Sequence, residues 1–208
     1  DDGWKARTLG NDSTDISFRG KSQGTLNWGL MGEHNRMNAL AALAAAHHAG
    51  VTIEIGITAL RKFKNVKRRM ELCGVANEIT VYDDFAHHPT AIQTTLEGLR
   101  NKINDARIIA VLEPRSNTMR MGTWQDRLAE CLKAADLVFC YTSNLGWDVE
   151  EALKPIGSRA VSSDNLEKLI EAITVATHPG DYVLIMSNGG FGGIQEKILK
   201  SLNTIHQS

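Results

Sequence analysis

Residues 107–119, RIIAVLEPRSNTM, run from an apolar stretch directly into a polar loop. Ile108 to Leu112 are apolar at every position. A strand with one face in water would alternate, so this one is expected to be covered on both faces. Three further stretches have the same form: EITVYD at 78–83, DLVFCY at 136–141 and DYVLIMS at 181–187. Helical patterns lie between and after them, at 90–101, 123–134, 148–153, 164–176 and 192–203. Buried strands alternating with helices predict an α/β fold over residues 66–208, a Rossmann-like, mostly parallel sheet with helices on both faces. Ligands of such sheets bind beyond the carboxyl ends of the strands. The loops to inspect are therefore DDFAHHP (83–89), EPRSNTM (113–119), TSNLGWD (142–148) and SNGGFGG (187–193).

Residues 1–65 read differently. Short β-type pieces, KARTL (5–9), DISFRG (15–20) and TLNWGLM (25–31), are separated by Gly, Asn, Asp and Ser, as in hairpins. An Ala-rich helix, expected to be mostly buried, follows in GEHNRMNALAALAAAHHAG (32–50), with Gly50 placed as a terminator. A second helical pattern covers 53–63 and ends in the basic stretch RKFKNVKRR (61–69), where the composition shifts and a boundary is placed near residue 66. So few strands cannot close a stable sheet by themselves. The opening DDGWKARTLG has no initiator Met and is expected to be the interior of a longer protein.

Among 208 residues, 23 Lys and Arg stand against 24 Asp and Glu, so no basic field draws the chain to nucleic acid or to an anionic membrane. Cys73, Cys131 and Cys140 are odd in number and lack C-x-x-C spacing, which fits reduced thiols in the cytoplasm. No apolar run approaches a membrane span, and no secretory signal opens the sequence.

Gly20, Lys21 and Ser22 form a GKS triplet, but Asp15 stands where a phosphate loop needs glycine and no helix follows. In DDFAHHP, Pro89 suits a first helical turn, and Thr90 with Gln93 forms a capping-box pattern. That reading leaves Asp83, Asp84, His87 and His88 without a structural reason. Three alternatives stand for them: a transition-metal site, a solvated loop, or direct contact with substrate or nucleotide. The second loop offers Arg115 and Arg120 with Ser116, Asn117 and Thr118, a set suited to carboxylate or phosphate and equally to helix capping. The glycines of SNGGFGGI allow close backbone approach ahead of a helix. His47 and His48 are neighbours on a helix and diverge, as packing or surface residues do.

Taken in order, GEHNRMNALAALAAA, VKRRME, YDDFAHHPTAI, LEPRSNTM and SNGGFGG resemble the later half of a Mur ligase. The wording of DDFAHHP and EPRSNTM is closer to the branch that recycles cell-wall peptide than to the alanine-adding branch. The resemblance implies that residues 1–65 are the C-terminal remnant of a central ATPase domain and residues 66–208 the Rossmann-like C-terminal domain. The sugar-binding domain and the rest of the ATPase domain would be the missing partners. It further implies ATP and Mg2+ as cofactors, with UDP-N-acetylmuramate and the tripeptide L-Ala-γ-D-Glu-meso-diaminopimelate joined through an acyl phosphate. By the same resemblance His34, Asn35 and Asn38 lie beside adenine, Asp83 accepts from the ribose, and Arg69 reaches the phosphates. His87 and His88 would face the amine or the acyl phosphate. Arg115, Ser116, Asn117, Asn188, Gly189 and Gly190 would hold peptide carboxylates. Competing with this reading are a metal-dependent phosphoesterase built on Asp83, Asp84, His87 and His88, and a non-catalytic binding module.

Overall fold

The computed structural model describes residues 3–10, 13–30, 32–64 and 66–205. The chain divides into two compact units, Asp1–Val66 and Lys67–Ser208. In the first, β1 (Trp4–Gly10), β2 (Ser13–Phe18) and β3 (Lys21–Asn27) form an antiparallel sheet in that order. Phe18 pairs with Lys21 across Arg19 and Gly20, whose φ values are 50° and 72°. Two successive left-handed residues make the tight turn that a twisted hairpin favours. The GKS triplet is thus a hairpin corner. The third strand lies at 21–27 rather than 25–31, because this corner sets its start; Met31, like Asn65 of the basic stretch, is outside the described residues.

Two helices complete this unit, α1 (Glu33–His48) and α2 (Ile53–Arg61). The expectation that α1 is mostly buried is wrong. Ala39, Leu40 and Leu43 are its buried residues, packed with Ile16, Leu26 and Ile57. Alanine raises helix propensity wherever it stands, so an Ala-rich run reports helix and says little about burial.

The second unit contains β4 (Glu71–Ala76), β5 (Ile79–Asp84), α3 (Pro89–Ile103), β6 (Ile108–Leu112), α4 (Asn117–Arg120), α5 (Gln125–Cys131), β7 (Leu137–Tyr141), α6 (Val149–Leu153), β8 (Ala160–Ser163), α7 (Leu166–Ala176), β9 (Tyr182–Met186) and α8 (Ile194–Ile205). Its sheet order is β4-β5-β9-β6-β7-β8, parallel except for β4, which runs antiparallel to β5. Successive strand residues point to opposite faces. Ala110 and Leu184 accordingly join Ile92, Leu96 and Leu128 in one core, while Val111, Val183 and Ile185 join Leu169, Ile173 and Ile198 in the other. Helices therefore cover both faces. The unbroken apolar character of residues 108–112 follows from that.

Sequence reading missed β4 and β8. Both are edge strands whose residues are largely exposed or half-buried, so neither carries the apolar run that marked the central strands. The helix expected at 123–134 is shorter, Gln125–Cys131, and a separate turn of helix, Asn117–Arg120, precedes it. The topology has one consequence for function. Strand β9, last in the chain, lies between β5 and β6, so its glycine loop is flanked by the loops that follow those two strands. No helix among the described residues is long and apolar enough to cross a membrane.

Candidate functional site

Strand β5 ends in two adjacent carboxylates with different environments. Asp84 accepts from the backbone N–H of Met70 through Oδ2 and of Ala86 through Oδ1, each at 2.8 Å. It ties the segment before β4 to the loop after β5. Burial raises its pKa above the ordinary carboxylate value, against the opposing pull of those two amides and of Arg69. Asp83, 5% exposed, accepts from Arg68 Nε at 2.8 Å through Oδ2. Arg68 Nη2 donates at 2.6 Å to the carbonyl of Ser187 beyond β9. Asp83 Oδ1 is buried with no hydrogen-bond partner. A buried carboxylate oxygen in that condition calls for a donor.

Structural roles therefore exist for the cluster that sequence left unexplained. His88 is the N-cap of α3, its Nδ1 accepting from Thr90 N at 3.3 Å, and its ring meets Trp124 edge-on at 4.8 Å between centroids. The capping box of Thr90 and Gln93 does not form; Gln93 instead donates to Glu97 at 2.8 Å. His87 Nδ1 lies 2.8 Å from the Phe85 carbonyl. A carbonyl can only accept and a backbone amide can only donate, so in their neutral forms the two rings hold opposite tautomers. His87 presents a bare Nε2, and His88 presents an Nε2–H. Among the described residues no group of three His, Cys, Asp or Glu side chains is placed to hold an ion.

The loop after β6 meets the loop after β9. The Glu113 carboxylate accepts from Ser187 Oγ, which in turn accepts from Gly189 N at 2.9 Å. A Cβ on Gly189 would overlap Arg115 Nη1 and Cδ, so glycine is what lets the guanidinium lie across this backbone. Asn188 Oδ1 is buried without a partner. Ser116 caps α4, its Oγ accepting from Met119 N at 3.3 Å, and Asn117 is the exposed first residue of that helix.

A hollow of about 410 Å3 is lined by Arg68, Asp83, Gly189 and Gly190 among others. Asp83, expected at the nucleotide, and Gly189 and Gly190, expected at the peptide, thus share one space. Sequence reading singled out Arg69 and passed over Arg68. Arg69 is exposed, its guanidinium carbon 5.7 Å from the Phe85 ring centroid, whereas Arg68 is the residue clamped to Asp83. Two adjacent arginines look alike until the backbone is known; Arg68 has φ 58°, and only the turned chain aims it inward. Glu113 and Ser187 were also passed over, since each gains its role from the other. In the first unit, His34, Asn35 and Asn38 occupy the first two turns of α1, with His34 and Asn38 four positions apart on one face.

An α/β unit with guanidinium groups and unsatisfied polar atoms gathered at the carboxyl ends of β5, β9 and β6 agrees with what comparison finds. The family model described as Mur ligase, glutamate ligase domain, matches residues 68–189, and the chain belongs to the Mur ligase family. Its relatives include the UDP-N-acetylmuramate–L-alanyl-γ-D-glutamyl-meso-2,6-diaminoheptandioate ligase of Haemophilus influenzae, 46% identical over 206 residues, covering 97% of this chain and 46% of that protein. The Escherichia coli ligase of the same name is 47% identical over 203 residues, 96% of this chain and 44% of that one. The crystal structure of a murein peptide ligase from Psychrobacter arcticus superposes with a TM-score of 0.68 at 41% identity, covering 97% of this chain and 44% of that chain. The chain spans less than half the length of these relatives.

Proposed function

We propose that this chain is the C-terminal part of an ATP-dependent amide ligase that joins UDP-N-acetylmuramate to the tripeptide L-Ala-γ-D-Glu-meso-diaminopimelate in cytoplasmic murein recycling. The observation that carries this reading is the 46–47% identity, over nearly the whole chain, to two ligases of that name. Residues 1–65 are then the end of the central ATPase domain, and residues 66–208 the C-terminal domain.

In such a ligase the muramate carboxylate takes the γ-phosphoryl group of ATP, the peptide amine attacks the acyl carbon, and phosphate leaves. Positioning and charge stabilisation supply most of the rate. Asp83 Oδ1, buried and lacking a donor, fits a ribose hydroxyl. Asn38, with His34 and Asn35, reads the adenine edge, and Arg69 supplies charge to the phosphates. The bare Nε2 of His87 suits removal of a proton from the attacking amine, and the Nε2–H of His88 suits donation to an oxygen of the acyl phosphate. Arg115, Asn117, Asn188, Gly189 and Gly190 hold peptide carboxylates; Ser116 contributes chiefly by fixing α4. Mg2+ would be held mainly by parts of the ligase outside this chain, where it would neutralise phosphate charge.

A chimera tests this reading: residues 1–208 replace the matching stretch of the Escherichia coli relative. ATP-dependent ligation of the tripeptide to UDP-N-acetylmuramate is expected. Transfer of free L-alanine in preference to tripeptide would show an alanine-adding enzyme instead. Asp83→Asn in the chimera should weaken ATP use by roughly 1–3 kcal/mol, the range for a lost hydrogen bond to a charged group.

A further inference from the structure

Phe85, in the loop after β5, is half-buried yet belongs to none of the three apolar clusters of the described residues. Packing of a hydrophobic core therefore does not account for it. Its ring is surrounded by charged and polar groups instead. The guanidinium carbon of Arg68 lies 5.4 Å from the ring centroid and that of Arg69 5.7 Å. The His87 imidazole meets the ring at 5.3 Å between centroids, with the two planes at 82°. The backbone holds the same neighbours. Phe85 N donates to the Arg68 carbonyl at 2.8 Å, and the Phe85 carbonyl accepts from His87 Nδ1 at 2.8 Å. Asp84, bound to Met70 N and Ala86 N, ties the two segments together on either side of these contacts. Adjacent guanidinium groups repel each other, and the turned backbone of Arg68, at φ 58°, nevertheless brings both against one ring. The negative face of an aromatic ring is what offsets that repulsion.

From this we infer that Phe85 is the positioning residue of the site, setting the bare Nε2 of His87 and the guanidinium of Arg69 in a fixed relation to the Asp83–Arg68 pair. The inference rests on the functional reading above, which gives His87 the proton of the attacking amine and Arg69 the phosphates. A single hydrogen bond to the Phe85 carbonyl leaves the imidazole free to swing about that contact. The perpendicular ring fixes its plane, and with it the direction in which Nε2 points. Arg69 is exposed, and a long exposed side chain loses rotamer freedom when it takes hold of a ligand. Its contact with the Phe85 ring meets part of that cost before the phosphates arrive. Leucine at this position would keep the apolar bulk and both backbone hydrogen bonds. It would lose the ring, and with it the hold on both groups.

The test compares Phe85→Leu and Phe85→Tyr in the chimeric ligase. Phe85→Leu should raise the KM for ATP about fivefold, the size of one exposed cation–π contact. It should also lower kcat at saturating tripeptide by about tenfold or more, because a base that is not held is aligned for less of the time. Phe85→Tyr keeps the ring and should recover both constants to within about twofold. In an Arg69→Ala background Phe85→Leu should no longer change the KM for ATP, since its effect on that constant passes through Arg69. A leucine variant with wild-type constants, or a tyrosine variant as impaired as the leucine one, would overturn the positioning role while leaving the functional reading in place. An unsubstituted chimera without ligase activity would overturn the functional reading, and the roles given to His87 and Arg69 with it. One measurement needs no variant to fold: nitrogen-15 NMR of residues 1–208 at about pH 8, above the ordinary imidazole range. His87 should show a single tautomer with Nε2 bare, and a mixture of the two tautomers would overturn the inference.

Discussion

Arg68 and Asp83 are joined at 2.8 Å, and the same guanidinium reaches the Ser187 carbonyl at 2.6 Å, so one side chain links the ends of β5 and β9. The Asp83 side chain is 7% exposed and that of Arg68 27%. Truncation of Arg68 leaves a buried carboxylate without either of its oxygens satisfied. Arg68→Met is expected to cost about 2 kcal/mol in urea unfolding, below the usual loss for a fully buried pair because Arg68 is part-exposed. Arg68→Lys should recover little of this, since a single ammonium does not reproduce the fork. A lysine variant as stable as the wild type would show that the second arm, to Ser187, contributes nothing.

Gly189 is a different kind of constraint. Its backbone has no positive φ, so alanine is conformationally acceptable, and the obstacle is the Arg115 side chain lying over it. Arg115 is exposed and can swing away. Gly189→Ala should therefore change unfolding free energy by less than about 1 kcal/mol. In the chimeric ligase it should raise the tripeptide KM by roughly tenfold with ATP constants unchanged, the pattern of a lost ground-state contact. A loss of stability well beyond that figure would mean the space over Gly189 is needed by the fold.

Residues 67–208 contain both apolar layers, one on each face of the same sheet. Expressed alone, this segment should unfold in one transition. Far-UV circular dichroism reports its helices, and Trp124 and Trp147 report its tertiary packing. The two urea curves are expected to coincide; separated midpoints would show that the unit depends on residues before Lys67.

The thiols supply a pH-dependent test. Burial raises Cys140 and Cys131 to about 12, and burial followed by the charges of Asp83 and Glu71 raises Cys73 to about 11. An unfolded thiol ionises near 8.5. The native state therefore holds these protons longer than the unfolded state, so the stability they contribute is full below about pH 8.5 and is lost as pH rises toward the folded values. At pH 8 alkylation by iodoacetamide should be at least about a hundredfold slower in the native chain than in urea, with Cys73 the fastest of the three. Native labelling at the unfolded rate would show that the thiols are not held as described.

The sequence by itself determined the class of fold and the loops that matter. Five apolar residues in a row at 108–112 require cover on both faces, and glycine, proline and clustered polar residues end such strands in ways that are local and therefore readable. It picked out the loops that line the candidate site. What it did not determine is which residues meet. Strand β9 inserts between β5 and β6, and this nonlocal pairing sets Gly189 under Arg115 and Ser187 beside both Arg68 and Glu113, although more than seventy residues separate them in the chain. The same holds for the choice of Arg68 over Arg69 and for the opposite tautomers of His87 and His88. Each depends on where one backbone carbonyl or amide lies, and those positions exist only once the sheet has closed.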